Sequence, residues 1–268
     1  METIKSVQNS SIKLVSGLTQ KSSLRKKSNV FVIEGKRELD LAIKAGYKID
    51  KIFCCPALFK SSHYKNWFDH HLHTFEIVEV SDNVYEKISY RKNTEGVIAL
   101  VRKRSFELEE LTLKRANPLV LVAENIEKPG NIGAMLRTAD AAKIDCLLIA
   151  EPKTDIFNPN IIRSSVGGFF SVPIGVGSNE EVLAFLMKNQ ITTYAASLDG
   201  SSPYEKIDYT TPSALIVGTE STGLSDFWIR EAQSKVKIPM LGKVDSMNVS
   251  VASAILLFEA LRQRNFYR

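Results

Sequence analysis

Three short stretches of the 268-residue chain carry the side chains best suited to chemistry: Asn125 to Ala139 (NIEKPGNIGAMLRTA), Ile216 to Leu224 (IVGTESTGL) and Ile238 to Ala252 (IPMLGKVDSMNVSVA). Each joins the end of an apolar run to Gly, Pro, Asn or Ser in an order that ordinary turns do not need. In the first, a Pro-Gly turn leads into a helix whose start is marked by Asn131. Ile132, Leu136 and Ala139 share its buried face, so Arg137 projects elsewhere. Gly133 and Ala134, one turn earlier, leave the guanidinium uncovered, which suits an arginine meant for phosphate or hydroxyl oxygens. A surface arginine on an amphipathic helix would have the same pattern.

In the second stretch, Gly218, Thr219, Glu220 and Gly223 follow an apolar strand. Glycines there let a backbone approach a flat or charged ligand, and they also make plain turns. No segment matches GxGxxG or GxxxxGK[ST], so neither a dinucleotide nor a nucleoside-triphosphate site is supported. In the third, Ser246, Asn248 and Ser250 alternate with Met247, Val249 and Val251 ahead of a long apolar helix. Asn248 or Ser246 is placed to cap that helix. The surplus polar groups can orient an arginine or a ligand.

These stretches need a scaffold. PLVLVAEN, DCLLIA, VPIGV, TTYAASL, SALIVGTE and VKIPM read as strands, with helices near 131–142, 160–166, 179–188 and 249–264. Near-continuous apolar strands alternating with helices predict an α/β fold with a parallel sheet covered on both faces, and such sheets bind ligands at the carboxyl ends of their strands. Ahead of it lies a smaller α/β unit. A helix from Ser10 to about Leu24 is followed by FVIEG, a helix from Lys36 to Ala45, KIDKIFCC, a helical stretch from Pro56 to about Leu72, TFEIVEV, SDNVYEKI and GVIALV. Arg102 to Asn117 is charged without a strand pattern, so the boundaries read as a domain over 1–105, a linker over 106–117 and a second domain over 118–268.

Charge divides the same way. Residues 1–105 hold 19 Lys+Arg against 11 Asp+Glu, whereas the remainder holds 16 against 19, so the overall +5 belongs to the first third. A basic module ahead of a mildly acidic one fits a polyanion-gripping part, with Arg25, Lys26, Lys27, Lys36 and Arg37 as the candidates for phosphate contacts. A solvated basic surface without a partner has the same composition. The apolar runs fall far short of the roughly 18 residues a membrane span needs, and METIKSVQNSSIK has no secretory character, so the expected place is the cytoplasm. Cys54, Cys55 and Cys146 fit buried thiols. His63, His70, His71 and His73 lie close in sequence to Cys54 and Cys55, but in no standard zinc spacing. Tyr64, Trp67 and Phe68 are placed either to stack on bases or to pack in the core.

Taken together, in this order and spacing, the three stretches resemble the SpoU/TrmH family of RNA 2′-O-ribose methyltransferases, over about residues 118 to 265. The basic N-terminal unit is similar to the substrate-binding domain often fused ahead of it. The resemblance implies an α/β knot, in which the C-terminal segment threads through a loop to form the pocket for S-adenosylmethionine, and a homodimer with each site near the interface. It implies that Asn131, Arg137, Glu220, Ser246 and Asn248 form the catalytic end. Gly218, Thr219, Gly223, Ile238, Met240, Met247 and Ser250 would hold the cofactor, with Gly242 part of the same pattern. Two positions depart from the family's usual residues: Lys128 where Asp commonly precedes the proline, and Met247 where Leu is common.

A sulfonium already carries a good leaving group, so the expected reaction needs placement of the ribose oxygen and help with its proton, and no metal. A guanidinium is a poor literal base. Arg137 is therefore expected to stabilise the developing alkoxide, with Asn131 and Ser246 fixing it. The expected substrate is structured RNA, ribosomal rather than transfer RNA, with neither DNA nor membrane as a partner. A non-catalytic RNA binder that keeps the fold and a methyltransferase acting on a base are the competing readings.

Overall fold

Apolar runs of four to six residues become largely buried strands, and a computed structural model places the strands in two sheets. It describes residues 3–59, 67, 74–90, 95–198 and 201–267. The chain divides into two units, Met1–Arg104 with Phe157–Arg163, and Ser105–Ile156 with Ser164–Arg268.

The first unit runs β1 (Thr3–Ile4), α1 (Ser10–Gln20), α2 (Ser22–Lys27), β2 (Val30–Glu34), α3 (Lys36–Lys44), β3 (Ile49–Cys54), β4 (Ile77–Val80), α4 (Asp82–Ile88) and β5 (Val97–Arg102). Its five strands take the order β1-β4-β3-β5-β2, with β5 antiparallel to both neighbours. Ile12, Val15 and Leu18 of α1 are buried against Val78, Val84, Tyr85 and Ile98. The helix expected from Ser10 to Leu24 breaks at Lys21, which is extended (φ −112°, ψ 111°). Arg25 then turns back, and its Nη1 donates to the carbonyls of Leu18 (2.8 Å) and Thr19 (3.3 Å) at the end of α1. A guanidinium is well used at a helix C-terminus, where unsatisfied carbonyls gather.

The second unit contains β6 (Leu119–Glu124), α5 (Pro129–Ala141), β7 (Cys146–Ala150), α6 (Pro159–Ser164, its first five residues counted with the first unit), α7 (Gly168–Ser171), β8 (Ile174–Gly177), α8 (Asn179–Lys188), β9 (Thr192–Ala196), β10 (Ser202–Pro203), β11 (Ser213–Val217), α9 (Asp226–Glu231), β12 (Ser234–Lys237) and α10 (Val249–Gln263). Its seven strands are all parallel, in the order β10-β12-β9-β11-β6-β7-β8. Every residue of β6, β7 and β11 is buried, as expected of strands covered on both faces. Parallel pairing puts the carboxyl ends of β6, β9, β11 and β12 on one edge.

The stretch that reads as a linker over 106–117 packs with the second unit. Leu108 is buried in its core, and Leu111 and Leu113 lie half-buried against it. The high charge of that stretch conceals apolar residues at intervals of two or three. Conversely, Phe157–Arg163 joins the first unit, where the Phe157 ring lies 4.9 Å from that of Phe31.

Candidate functional site

Helix α5 begins at Pro129 rather than at Asn131, because proline at N1 has no N–H to leave unsatisfied and its φ is already helical. Ile132, Met135, Leu136 and Ala139 are buried as the spacing predicts. Asn131 sits in the first turn and meets two residues that lie 89 and 117 positions further along the chain. Its Nδ2 donates to Glu220 Oε1 at 3.1 Å, and its Oδ1 accepts from Asn248 Nδ2 at 3.2 Å. Asn248 Nδ2 also donates to Glu220 Oε1 at 2.5 Å. The three stretches singled out in the sequence thus converge through Asn131, Glu220 and Asn248.

Lys128 completes the cluster by pairing its Nζ with Glu220 Oε2. This lysine, one of the two departures from the family's usual residues, is seated by the structure on the carboxylate. The Lys128 side chain first, and the Asn131 amide next, hold the Glu220 carboxyl below its ordinary range. Glu220 is therefore an acceptor here and not a proton donor. Asn248 does a second job as the cap of α10: its Oδ1 accepts from the Ser250 N–H (3.0 Å) and from Ser250 Oγ (2.6 Å). Ser250 is occupied in that cap and does not line the cavity described next.

Beside the cluster, at the carboxyl edge of the sheet, lies a cavity of about 540 Å³. Gly218, Thr219, Gly223, Ile238, Met240 and Met247 line it, as do Glu220 and Ser246. Gly242 does not, and has open space around it. The loop after β11 closes on itself. Thr219 and Gly223 exchange backbone hydrogen bonds of 2.9 and 3.1 Å, Gly223 takes φ +70°, and a Cβ on Gly218 would lie 2.2 Å from the Gly223 oxygen. The sequence reading missed part of the lining: Ala196, Ser197 and Leu198 after β9, and Ala252 and Leu256 of α10. The signal was there, since TTYAASL is one of the apolar strands whose carboxyl ends share the edge.

Arg137 stands apart. It is exposed, and among the described residues it makes no hydrogen bond or ion pair with Asn131 or Ser246. Six residues after Asn131 it lies roughly 120° round the helix, and Ser246 Oγ donates instead to Asp245 Oδ1 at 3.2 Å. The expected clamp of Asn131 and Ser246 on Arg137 is thus absent from this arrangement. What approaches Arg137 is backbone: a Cβ on Gly168 would lie 2.5 Å from the Leu136 oxygen and 3.1 Å from the Arg137 nitrogen. Gly168, unremarked in the sequence, lets α7 press against α5.

In the first unit, Lys26, Lys27 and Arg37 are exposed. Two of the five phosphate-contact candidates need correction. Arg25 is only 4% exposed and spent on the end of α1. Lys36 Nζ is held 2.6 Å from Asp40, because α3 places them four residues apart on one face. Asp40 also accepts from Trp67 Nε1 (2.7 Å), whose ring centroid lies 6.4 Å from that of Phe59, so Trp67 packs within its unit. Tyr64, Phe68 and the four histidines lie outside the described residues. Cys54, Cys55 and Cys146 are buried free thiols.

Comparison with known proteins follows the same division. Residues 118–258 match the SpoU rRNA Methylase family, and residues 9–99 match the MRM3-like substrate binding domain. The chain is 26% identical over 258 residues to the 23S rRNA (guanosine(2553)-2′-O)-methyltransferase RlmP of Bacillus subtilis (strain 168), covering 96% of this chain and 98% of that one. It is 37% identical over 163 residues to the tRNA (guanosine(18)-2′-O)-methyltransferase of Thermus thermophilus, covering 60% of this chain and 83% of the relative. The crystal structure of an AdoMet-bound rRNA methyltransferase from Sinorhizobium meliloti superposes with a TM-score of 0.88 at 28% identity, covering 97% of each chain.

Proposed function

The chain belongs to the SpoU rRNA methylase family, and from that premise we propose that it transfers a methyl group from S-adenosylmethionine to a ribose 2′-hydroxyl of structured RNA, with ribosomal RNA the preferred substrate and transfer RNA the alternative. The observation that carries the reading is the meeting of Asn131, Glu220 and Asn248 beside a cavity that Glu220 lines, on the carboxyl edge of a parallel sheet.

The cavity fits the cofactor. Its volume of about 540 Å³ lies within the usual range of small-molecule sites. Ile238, Met240, Met247 and Leu256 offer apolar cover for an adenine, while the Gly218–Gly223 loop presents backbone, with no room at Gly218 for a side chain. When bound, S-adenosylmethionine supplies an electrophilic methyl on a positively charged sulfonium. Met247 in place of leucine keeps nearly the same volume against the adenine.

The chain's own residues then have separable tasks. Asn131 and Asn248 hold the Glu220 carboxylate, and the same Asn248 caps α10, so hydrogen bonds tie the three motifs together. Among the described residues Arg137 has no side-chain partner, and its guanidinium is suited to meet the oxyanion that forms as the ribose hydroxyl loses its proton. Lys26, Lys27 and Arg37 of the basic unit are suited to phosphates of the RNA backbone.

The reading includes a homodimer in the cytoplasm. Val251 and Phe258 lie seven residues apart on one face of α10 and are 50% and 43% exposed, and Leu241 and Val244 are exposed in the preceding loop. Exposed apolar groups gathered on one element favour a partner surface, and a second copy of the chain is the partner proposed. Phe258→Asp is expected to shift the mass measured by light scattering from twice 29.9 kDa to 29.9 kDa itself. A variant that stays at twice the chain mass would place the interface elsewhere.

The experiment that tests the function is transfer of labelled methyl from S-adenosylmethionine to total RNA from a strain lacking the gene, followed by alkaline hydrolysis. Alkali-resistant dinucleotides carrying label are expected, since a 2′-O-methyl blocks attack on the neighbouring phosphate, and sizing the labelled RNA separates ribosomal from transfer substrates. Label released as mononucleotide would indicate methylation of a base. Absence of transfer by folded, cofactor-binding protein would favour a non-catalytic RNA binder.

A further inference from the structure

The last residue of β6 is a carboxylate with no part in the chemistry above. Glu124 is 0% exposed, and three donors converge on it. Asn179 Nδ2 donates to Oε1 at 2.9 Å, Ser225 N donates to Oε2 at 2.9 Å, and Ser225 Oγ donates to Oε1 at 2.5 Å. A buried charge persists only when hydrogen bonds replace its water. Neither partner is free to turn away. Asn179 is fixed because its Oδ1 accepts from the indole Nε1 of the fully buried Trp228 at 2.7 Å, and its own N–H donates to Glu151 Oε1 at 3.1 Å. Ser225 is fixed because it is the residue from which α9 departs.

The location of Ser225 gives the arrangement a purpose. It follows directly on the loop Gly218–Leu224, which closes the cavity, and Asp226 and Ile229 just beyond it line the same cavity. That loop is tied to itself by the Thr219–Gly223 bonds, but those bonds alone do not set where it stands relative to the sheet. Two of the three donors on Glu124 come from Ser225. We propose that Glu124 is a positioning residue for the cofactor: a buried carboxylate at the end of β6 that pins Ser225, and through it the Gly218–Leu224 wall of the pocket. The proposal rests on the reading of this cavity as the S-adenosylmethionine site.

All three groups facing Glu124 are donors, so an amide in its place must set its NH₂ against one of them. Glu124→Gln therefore loosens the wall with almost no change in volume. Ser225→Ala removes a single donor from the loop side and is the milder variant, in case Glu124→Gln folds poorly. Asn179→Ala removes the donor on the other side and leaves both Ser225 bonds in place. It is the control for general destabilisation, since it strips Trp228 of its partner while both bonds from Ser225 to Glu124 remain.

Two readouts separate this proposal from the functional reading it rests on. In cofactor-free protein, amide hydrogen exchange across 218–224 is expected to quicken about tenfold or more in Glu124→Gln, and to a lesser degree in Ser225→Ala. Asn179→Ala should lower the thermal midpoint while leaving exchange in that loop within about twofold of wild type. In titrations with S-adenosylmethionine, Kd and KM for the cofactor should rise about tenfold in Glu124→Gln, with kcat at saturation and KM for RNA within about threefold. Unchanged exchange and unchanged cofactor Kd in a folded Glu124→Gln variant would overturn the proposal, as would an Asn179→Ala variant that moves the loop as far as Ser225→Ala does. A wild-type protein that binds no S-adenosylmethionine would overturn the cofactor role, and the exchange contrast would still decide whether Glu124 pins the wall.

Discussion

Arg137→Ala should lose about 10²- to 10³-fold in kcat while binding S-adenosylmethionine as tightly as the wild type. The magnitude is that of deleting one donor aimed at charge that develops only in the transition state, about 3–4 kcal/mol. The separation of kcat from cofactor Kd follows from the structure, because among the described residues Arg137 neither lines the cavity nor bonds through its side chain to any residue that does. Arg137→Lys keeps the charge but loses the planar fork, and should recover only part of the lost rate. Single-turnover methyl transfer at saturating cofactor and RNA measures the chemical step directly. A rate in Arg137→Ala within fivefold of wild type would remove the guanidinium from the reaction and shift attention to the Asn131–Glu220–Asn248 cluster. A raised KM for RNA with unchanged kcat would instead make Arg137 a phosphate contact.

The parts of this protein that are legible in its sequence share a physical cause. β6, β7 and β11 are buried on both faces, so their runs of Leu, Val, Ile and Ala are nearly continuous, and their alternation with helices implies a parallel sheet. The buried face of α5 follows from the spacing of Ile132, Leu136 and Ala139. A cap at Asn248 or Ser246 is legible because polar residues stand ahead of an apolar helix, and Asn248 is the one that fills it. What remains hidden depends on pairings between residues far apart in the chain. Nothing local in the sequence tells that Lys128 meets Glu220, 92 residues away, or that Ser225 meets Glu124, 101 residues away.

The departures have the same origin. Arg25 reads as surface charge because Arg25, Lys26 and Lys27 are contiguous, yet a helix turns successive residues to different faces, and the one that looks inward finds the carbonyls at the end of α1. The stretch 106–117 reads as a linker from its charge, although Leu108, buried in the core, and Leu111 and Leu113 packed against it dock it on the second unit. Asn131 and Arg137 read as one cluster because they share a motif. On a helix, six residues of separation put them on different faces, so the motif serves two places: the cluster with Glu220 and Asn248, and the exposed surface at Arg137.

That division makes the opposite failure available by a single methyl group. Gly218→Ala should weaken cofactor binding while sparing the Asn131–Asn248 contact. A Cβ at this position would stand 2.2 Å from the Gly223 oxygen, 2.3 Å from its carbonyl carbon and 2.5 Å from the Leu224 nitrogen. All three atoms are backbone, so no side chain can swing aside, and the reciprocal Thr219–Gly223 hydrogen bonds must part or the loop must shift as a body. Overpacking of this kind costs about 1–3 kcal/mol. Because the displaced segment is the pocket wall, most of that should appear as a loss of roughly 5- to 150-fold in affinity for S-adenosylmethionine rather than as global unfolding. Gly242→Ala is the matched control, since nothing lies within 4 Å of a Cβ there, and it should bind the cofactor as the wild type does. Calorimetric titration of the two variants, with thermal midpoints to confirm folding, decides the matter. Equal cofactor affinity in Gly218→Ala and Gly242→Ala would mean that the loop after β11 yields freely, and the cavity it encloses would then not be the site where cofactor affinity is set.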